Sequence, residues 1–233
     1  MPRPPRSQDA RPQPPPVRSE QIRAAQATAR TAPQEVRLIG GHWKRTPLPV
    51  PVSAGLRPTP ARVRETLFNW LGQDLSGWRV LDAFAGSGAL GLEAASRGAE
   101  HVCLLEKDPV LVKSLRTVLL RLKPQPGQRI DVQQADAVGW MTQRRAARAV
   151  DAPFDLVFLD PPFDEGLFDA ALLAAAHCVP VDGWVYVEAP HELAAEPADA
   201  DAAPWWALLE RQRHGQAGAV HFHLFRRRAA DVL

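Results

Sequence analysis

The chain has 233 residues and 45% of them are hydrophobic, which is enough to bury the core of one full domain. No segment contains the roughly 20 consecutive apolar residues that a membrane-spanning helix needs, and the arginines near the N-terminus are not followed by the apolar core of a secretory signal. The two cysteines lack the spacing of a metal site, so the composition favours a reduced, cytoplasmic protein with neither a membrane nor a metal partner.

The net charge of +2 is distributed unevenly along the chain. Residues 1–32 contain six arginines and two acidic residues, whereas the remainder carries a small negative charge. Residues 1–34 are also rich in proline, which lacks the amide hydrogen that helices and sheets require, so we expect a disordered arm. A basic arm fits a polyanionic partner, although a solubilising tail explains this composition better.

Residues 35–59 are predicted to form a small unit before the main domain. Val36–Ile39 and His42–Arg45 are strand-like, and the glycine pair between them favours a β-hairpin. Three prolines at positions 47, 49 and 51 then force the chain into an extended path.

The main domain is predicted to span residues 60–233 and to begin with a helix. Thr59 is expected to cap this helix, Pro60 to start it and Gly72 to end it. From Trp78 onward, apolar strands alternate with helices, which indicates a parallel sheet covered by helices on both faces. The strands are predicted at Arg79–Phe84, His101–Glu106, Ile130–Gln134, Leu156–Asp160 and Trp184–Glu188, and the helices near 88–98, 109–122, 137–149 and 166–178.

Two further strands are predicted to close the chain as an antiparallel hairpin. They are Trp206–Gln212 and Val220–Arg226, joined through His214–Gln216. We place this hairpin at one edge of the sheet, which then has seven strands. The all-parallel dinucleotide-binding fold differs from this arrangement.

A glycine-rich loop follows the first strand of the main domain. Residues 86–91 match the pattern G-x-G-x-x-G, in which glycines permit a tight turn and the close approach of a ligand to the backbone. Asp82 ends the preceding strand, where its charge would repel a pyrophosphate but attract an ammonium group. S-adenosylmethionine carries an α-ammonium and a sulfonium group and no phosphate, so the loop is predicted to bind it rather than a dinucleotide.

Two more acids follow predicted strands at the same edge of the sheet, where ligands of open α/β sheets bind. Glu106 lies 24 residues after Asp82 and is placed to accept both ribose hydroxyls; Asp136 could accept a hydrogen bond from the adenine amino group. Helix caps or ordinary loop acids remain the alternative, above all for Asp136. The predicted donor site comprises Asp82, Phe84, Gly86, Ser87, Gly88, Gly91, Glu106, Asp136 and Ala137.

The tetrad Asp160-Pro161-Pro162-Phe163 ends the fourth strand and is the predicted catalytic segment. The Asp160 carboxylate and the Pro161 carbonyl can accept the two hydrogens of a base amino group and direct its lone pair at a methyl group. The prolines fix the backbone, which holds these acceptors in place before reaction, and Phe163 can stack on the base. Asp160 or a water molecule can then take the released proton; no metal and no covalent intermediate is required. The alternative is that the two prolines merely end the strand.

These segments, together with others, resemble the RsmD family of 16S rRNA guanine-N2 methyltransferases. The matching segments are Arg37–Trp43, Gly55–Thr59, Arg62–Leu71, Phe84–Ala94, Asp160–Phe163 and Tyr186–Glu188. The resemblance covers about Arg37 to Arg226. It implies a class I, Rossmann-like methyltransferase fold, S-adenosylmethionine as methyl donor, and a guanine of the position-966 type in 16S rRNA as acceptor. It also implies that the assembled small ribosomal subunit is the substrate. Nothing in the sequence requires more than a monomer.

Basic residues lie just before the main domain and are predicted to contact RNA. Arginine grips phosphates and aromatic rings stack on exposed bases. The predicted RNA-binding residues are Arg37, Trp43, Lys44, Arg45, Arg57, Arg62 and Arg64. Alternatively, the charges form a solvated face, Arg62 and Arg64 only decorate a helix, and Trp43 anchors the hairpin in the core.

Two other functions fit parts of the same pattern. An amine methyltransferase acting on DNA adenine or on protein glutamine would use the same tetrad, but those relatives tend to have Asn at its first position, where this chain has Asp160. A catalytically silent RNA-binding assembly factor would have no reason to retain Asp82, Glu106 and the tetrad together.

Overall fold

The computed structural model describes residues 35–51, 59–146, 153–162, 166–194 and 203–229. The expectations for the arm at residues 1–34, for Arg57 and for Phe163 lie outside these ranges.

The described chain begins with a small antiparallel hairpin. Strand β1 (Glu35–Arg37) pairs with strand β2 (Pro47–Pro49), so the prediction of a second strand at His42–Arg45 was wrong. The reason is that the first two backbone amides of this segment are bonded to a helix. His42 N–H donates to the carbonyl of Ser96 at 2.6 Å, and Trp43 N–H donates to the Ser96 hydroxyl at 2.8 Å. Because these two amides are already hydrogen-bonded to Ser96, they do not pair with a neighbouring strand.

Helix α1 (Ala61–Leu71) ends as predicted at Gly72, whose φ of 99° forms a left-handed cap that suits glycine. Its start differs from the prediction, because Pro60 occupies the N-cap position in an extended conformation and no side chain caps the helix. Thr59 is buried instead, and its carbonyl accepts a hydrogen bond from Arg64 Nε at 3.3 Å.

Seven further strands of the described chain form one sheet. They are β3 (Arg79–Asp82), β4 (His101–Glu106), β5 (Arg129–Gln134), β6 (Leu156–Leu159), β7 (Trp184–Ala189), β8 (Leu209–Ala217) and β9 (Val220–Arg227). Their order is β5-β4-β3-β6-β7-β9-β8. The pairs from β5 to β7 are parallel, and β9 is antiparallel to both of its neighbours. The predicted α/β architecture, with an antiparallel hairpin at one sheet edge, is confirmed.

Helices cover both faces of the sheet, as predicted. The later helices are α2 (Gly91–Ser96), α3 (Pro109–Leu122), α4 (Ala137–Ala146) and α5 (Phe168–Ala176). Side chains of α1, α2 and α3 pack with Phe158 and Tyr186 in one apolar core, while α4 and α5 pack with Val157 and Val187 in another. Successive residues of one strand thus point into different cores, as the strand period requires.

The turn of the terminal hairpin lies four residues later than predicted. Gly218 and Ala219 form it, whereas His214–Gln216 belong to β8 and pair with β9. Gly215 reads as a turn residue in the sequence, but it faces Phe222 across the hairpin, and a Cβ on Gly215 would come within 2.4 Å of that ring. The glycine is therefore needed for close packing inside a strand.

Among the described residues, none of the helices combines the length and the hydropathy needed to cross a bilayer.

Candidate active site

The glycine-rich loop connects β3 to α2 along the carboxyl edge of the sheet. Gly86 and Gly88 have φ values of 52° and 79°, which favour glycine. Gly91 needs the absence of a side chain for another reason, because a Cβ there would lie 2.3 Å from Leu104 and 3.0 Å from Asp82. Ser87 is buried within the loop and Phe84 is half-buried at its start. At the position predicted for the donor, the loop therefore offers backbone atoms that are not covered by side chains at its glycines.

Asp82 lies beneath this loop and is almost fully buried. Its Oδ2 accepts a hydrogen bond from Gly91 N–H at 2.8 Å, which ties the end of β3 to the first residue of α2. Burial raises the pKa of Asp82 to about 7, the hydrogen bond from Gly91 opposes this, and the nearby Glu106 charge adds to it. A cation bound at the loop would relieve this cost of holding a negative charge.

Glu106 ends β4 beside the same loop. Its Oε2 accepts from Gly86 N–H at 2.8 Å and its Oε1 accepts from Asp108 N–H at 2.9 Å. The side chain is half-buried. The structure therefore brings Glu106 against the glycine loop, with both carboxylate oxygens directed to backbone amides.

Asp136 has the helix-capping arrangement that the sequence left open. Its Oδ1 accepts from Gly139 N–H at 2.7 Å in the first turn of α4, and the residue is exposed. Ala137 is the first residue of α4 and is buried. Asp136 follows β5, two strands away from β3, so it lies at the far side of the predicted donor site.

The acceptor segment follows β6, the strand next to β3. Asp82 pairs with Phe158, so the glycine loop and the Asp160 segment leave the sheet side by side. Pro161 is buried and Pro162 is exposed. Pro162 also lines a cavity of about 460 Å³ whose walls include Phe168, His191 and Trp206. The glycine loop and the Asp160 segment therefore lie next to each other at the carboxyl edge of the sheet.

Asp160 retains some exposed surface but lies deep in the site. Loss of solvation raises the pKa of its carboxyl group well above the ordinary value, and the charges of Glu188 and Asp82 raise it further. Asp160 is thereby a stronger proton acceptor than a solvated carboxylate.

Glu188, which is not among the predicted site residues, lies beside Asp160. Leu159 of β6 pairs with Val187 of β7, so Asp160 and Glu188 are the next residues of two adjacent parallel strands. Glu188 is 4% exposed, and its Oε1 accepts a hydrogen bond from the Tyr186 hydroxyl at 3.1 Å. The available signal was an acid at the end of the apolar run Trp184–Val187, but only the strand register reveals its neighbour.

These residues fit S-adenosylmethionine. The backbone of the glycine loop allows close approach, and the charges of Glu188 and Asp82 both act unfavourably on the ionised Asp160 carboxyl group at that edge. A cationic ligand is the partner that such a set of charges favours.

The sequence matches the family described as conserved hypothetical protein 95 over residues 36–225. The chain belongs to this family, the RsmD family of methyltransferases. It is 38% identical over 203 residues to ribosomal RNA small subunit methyltransferase D of Escherichia coli, covering 84% of this chain and 91% of that protein. The protein of the same name from Haemophilus influenzae is 41% identical over 157 residues, covering 66% and 78%.

A solved structure has the same fold. The putative methyltransferase yhhF from Escherichia coli superposes with a TM-score of 0.67 at 37% identity, covering 84% of this chain and 99% of that one.

Two of the predicted RNA-binding residues of this RsmD-family chain, Trp43 and Arg64, are buried. Trp43 is 6% exposed and packs in the core with α1, so the prediction that it stacks on RNA was wrong. Arg64 is also buried, so the prediction that it contacts RNA was wrong too. Trp43 is buried by apolar packing, and Arg64 is buried as part of an ion pair.

Arg64 belongs to a buried charge network between α1 and α2. Its NH1 lies 3.5 Å from Glu93 Oε2, and Glu93 Oε1 accepts from Arg97 Nε at 2.8 Å. Arg64 also donates to the carbonyl of Arg37, and Ile39 N–H donates to Glu93 at 2.8 Å. The network fastens the N-terminal segment to the helix that follows the glycine loop.

The remaining described members of the basic segment are exposed. They are Arg37, Lys44, Arg45 and Arg62. Arg37 forms a surface ion pair with Glu35 at 3.0 Å, which is weak at such exposure.

Proposed function

We propose that this protein transfers a methyl group from S-adenosylmethionine to the exocyclic N2 of a guanine in 16S rRNA. The observation that carries the proposal is the junction of the glycine loop after β3 with Asp160 and Pro161 after the adjacent strand β6. A methyl donor and a flat amine can meet there. The names of the curated relatives, which are small-subunit rRNA methyltransferases, support RNA as the acceptor.

The donor supplies an electrophilic methyl group and leaves as a neutral thioether. The residues of this chain bind and orient the donor. The glycine loop and Glu106 hold the donor, and Asp82 supports the loop through Gly91. These contacts are fixed before the reaction, so they cost little ordering during it.

Asp160 and Pro161 act on the acceptor amine. The lone pair of an exocyclic amino group is delocalised into the ring, which makes the nitrogen a poor nucleophile. Hydrogen bonds from that nitrogen to the Asp160 carboxylate and to the Pro161 carbonyl favour a more tetrahedral nitrogen. Asp160 then accepts the proton that the methylated nitrogen releases. Phe163 would stack on the base in this arrangement.

Exposed basic residues of the N-terminal segment would hold the RNA backbone. Arg37, Lys44, Arg45 and Arg62 are available for phosphates, and Arg57 is the further candidate. We expect the assembled small subunit rather than free RNA to be the substrate, the protein to act as a monomer in the cytoplasm where ribosomes assemble, and the acceptor to be the guanine at position 966.

The test is transfer of tritium from labelled S-adenosylmethionine to small ribosomal subunits from a strain that lacks the enzyme, followed by chromatography of the nucleosides. Label in N2-methylguanosine is the expected result. Label only in DNA or protein controls would contradict the RNA acceptor and retain the methyltransferase. Measurable donor binding without label in any acceptor would contradict catalysis and favour a silent RNA-binding protein. Free 16S rRNA, assayed in parallel, tests the preference for assembled subunits.

A further inference from the structure

The strand register brings two carboxyl groups together at the acceptor side of the site. β6 and β7 run parallel with Leu159 opposite Val187, so Asp160 and Glu188 are adjacent as the strands end. Residues at equivalent positions of paired strands point to the same face of a sheet. Asp160 is half-buried as a residue, and Glu188 is 4% exposed.

The neighbours of Glu188 shield this acid from water. Tyr186 is fully buried two residues earlier on the same face, and its hydroxyl donates to Glu188 Oε1 at 3.1 Å. On the other side, Glu188 pairs with Phe222 of β9, whose ring stacks on Trp70 at a centroid distance of 5.3 Å. Burying an acid in apolar surroundings costs free energy unless its partners compensate. Such a residue indicates a task beyond packing.

We propose that Glu188, held by the Tyr186 hydroxyl, is a positioning residue for methyl transfer that acts through Asp160. The inference rests on the proposed function. The charge of Glu188 acts on the neighbouring Asp160 carboxyl group and raises its pKa, so that Asp160 binds a proton more strongly than an isolated aspartate would.

Methyl transfer to an amine releases a proton, and this arrangement of carboxyl groups can accept it. The acceptor nitrogen forms a bond to the methyl carbon while the carbon–sulfur bond breaks and sulfur keeps the electron pair. The nitrogen then carries a formal positive charge, and one N–H bond breaks with its electrons left on nitrogen. The proton passes to an oxygen of Asp160. A carboxylate with raised proton affinity accepts it earlier along the reaction than an ordinary aspartate does.

The charged and titratable groups around Asp160 are few in the part of the chain that the structure describes. Glu188 from β7 and Asp82 from β3 act on it directly, and both raise the pKa of Asp160. Tyr186, also from β7, interacts with both Glu188 and Asp160, and Glu106 from β4 acts on Asp82. Glu188 has the larger effect of the two direct neighbours.

The first measurement is the pH dependence of kcat/KM for small subunits at saturating donor, in wild type and in Glu188→Gln. Glutamine keeps an oxygen that can accept from Tyr186 but removes the charge. We expect the acidic limb of the profile to move to lower pH by about one unit and the plateau to fall several-fold. A purely structural residue would lower the rate equally at every pH. Superimposable profiles would overturn the proposal.

Two further variants guard against a general loss of folding or activity. Tyr186→Phe removes only the hydroxyl that stabilises the charge on Glu188, and we expect a smaller shift in the same direction. Glu100→Gln makes the same chemical change at an exposed glutamate that precedes β4; its profile should match that of wild type. A shift in Glu100→Gln as large as in Glu188→Gln would contradict a local effect.

A second measurement requires no turnover. Carbon-13 NMR of protein labelled at the aspartate carboxyl carbon follows the titration of Asp160, assigned by the signal missing from Asp160→Asn. We expect its midpoint to fall in Glu188→Gln, and an unchanged midpoint would overturn the proposal. If wild type does not label guanine N2 while the Asp160 midpoint still moves, the proposed function fails and the coupling stands. If guanine is labelled but neither profile nor midpoint moves, the coupling fails and the function stands.

Discussion

At the scale of single residues, the proposed function assigns Asp160 to the acceptor and assigns the glycine loop and Glu106, which lie together, to the donor. We therefore expect Asp160→Ala to change the dissociation constant for S-adenosylmethionine by no more than a few-fold. Methyl transfer should fall by roughly 10²–10³-fold, since a fixed acceptor at the reacting group is lost. Calorimetric titration measures the first effect and tritium transfer the second.

Asp160→Asn is the matched control for this substitution. The amide retains an oxygen that can accept from the amine but cannot take the proton, so its activity should lie between those of wild type and Asp160→Ala. A parallel loss of donor binding and activity in Asp160→Ala would instead show that the side chain holds the pocket together.

Asp82 gives a prediction about stability rather than catalysis. Burial raises the pKa of Asp82 to about 7, so the folded protein keeps this proton over a range of pH in which the unfolded chain has already released it. The unfolded state then binds fewer protons, and the free energy of unfolding falls as pH rises from about 4 to about 7. At about 1.4 kcal/mol per pKa unit, the free energy of unfolding falls by a few kcal/mol in total over this range.

Asp82→Asn removes this titration and keeps an oxygen that can accept from Gly91 N–H. We expect the variant to gain stability relative to wild type between pH 4.5 and pH 7.5, as measured by urea unfolding at several pH values without donor. A difference that does not vary with pH would mean that Asp82 is ionised throughout in the folded protein.

At the scale of elements, the connection between the N-terminal hairpin and α2 depends on Gly41. Its φ is 68°, and a Cβ there would lie 1.8 Å from the carbonyl oxygen of Ser96, the group that accepts from His42 N–H. Gly41→Ala must break this contact as well as adopt a left-handed conformation. We expect a loss of roughly 3 kcal/mol in the free energy of unfolding, about half from backbone strain and the rest from the lost hydrogen bonding.

Gly77→Ala separates the two contributions to this loss. Gly77 also has a positive φ, of 80°, but a Cβ there would meet no atom within 4 Å. We expect it to cost only the strain, about 1–2 kcal/mol. Equal losses in the two variants would mean that the chain at Gly41 shifts without breaking its bonds to α2.

The elements that could be predicted from sequence are those whose limits are set by nearby residues. β4 and α3 have the predicted bounds; Asp108 caps α3 through Val110 N–H, and Pro109 follows at the first position. The second strand of the N-terminal hairpin could not be predicted, because Ser96, more than 50 residues away, binds the amides of His42 and Trp43. Local pattern carries no information about such a partner.

The same distinction applies to the site. The glycine loop and the Asp160 segment are contiguous motifs and could be located from sequence alone. The neighbouring position of Glu188 depends on the register of β6 against β7, which follows from the packing of the whole sheet. Arg64 could not be told from Arg62 by residue type, because only the structure shows which of the two faces Glu93.

At the scale of the whole molecule, the acids of the predicted site lie apart from the exposed basic residues that are predicted to contact RNA. The carboxyl groups of Asp82, Asp160 and Glu188 lie at the edge of the sheet, and exposed basic residues lie on the N-terminal segment and α1. Val36 and Val50 of that segment pack on Ala89 in the glycine loop. The segment that we expect to hold RNA is thus attached directly to the loop that we expect to hold the donor.

Arg62 and Arg64 allow RNA binding to be tested separately from stability. Both are arginines of α1; Arg62 is exposed, whereas Arg64 is 1% exposed and forms an ion pair with Glu93. Arg62→Ala should leave the free energy of unfolding within about 0.5 kcal/mol of wild type. It should also weaken binding to small-subunit RNA and reduce the slope of log K against log salt by about one, since one phosphate contact is lost.

Arg64→Ala should show the reverse. Removing it leaves the buried Glu93 with less compensation, which we expect to cost roughly 3–5 kcal/mol of stability. Among molecules that remain folded, the salt dependence should equal that of wild type, because a buried guanidinium releases no counterion from RNA. A lower salt slope in Arg64→Ala, at a temperature where it is fully folded, would show that the N-terminal segment moves to expose Arg64 to the RNA. An unchanged slope in Arg62→Ala would remove that residue from the binding surface.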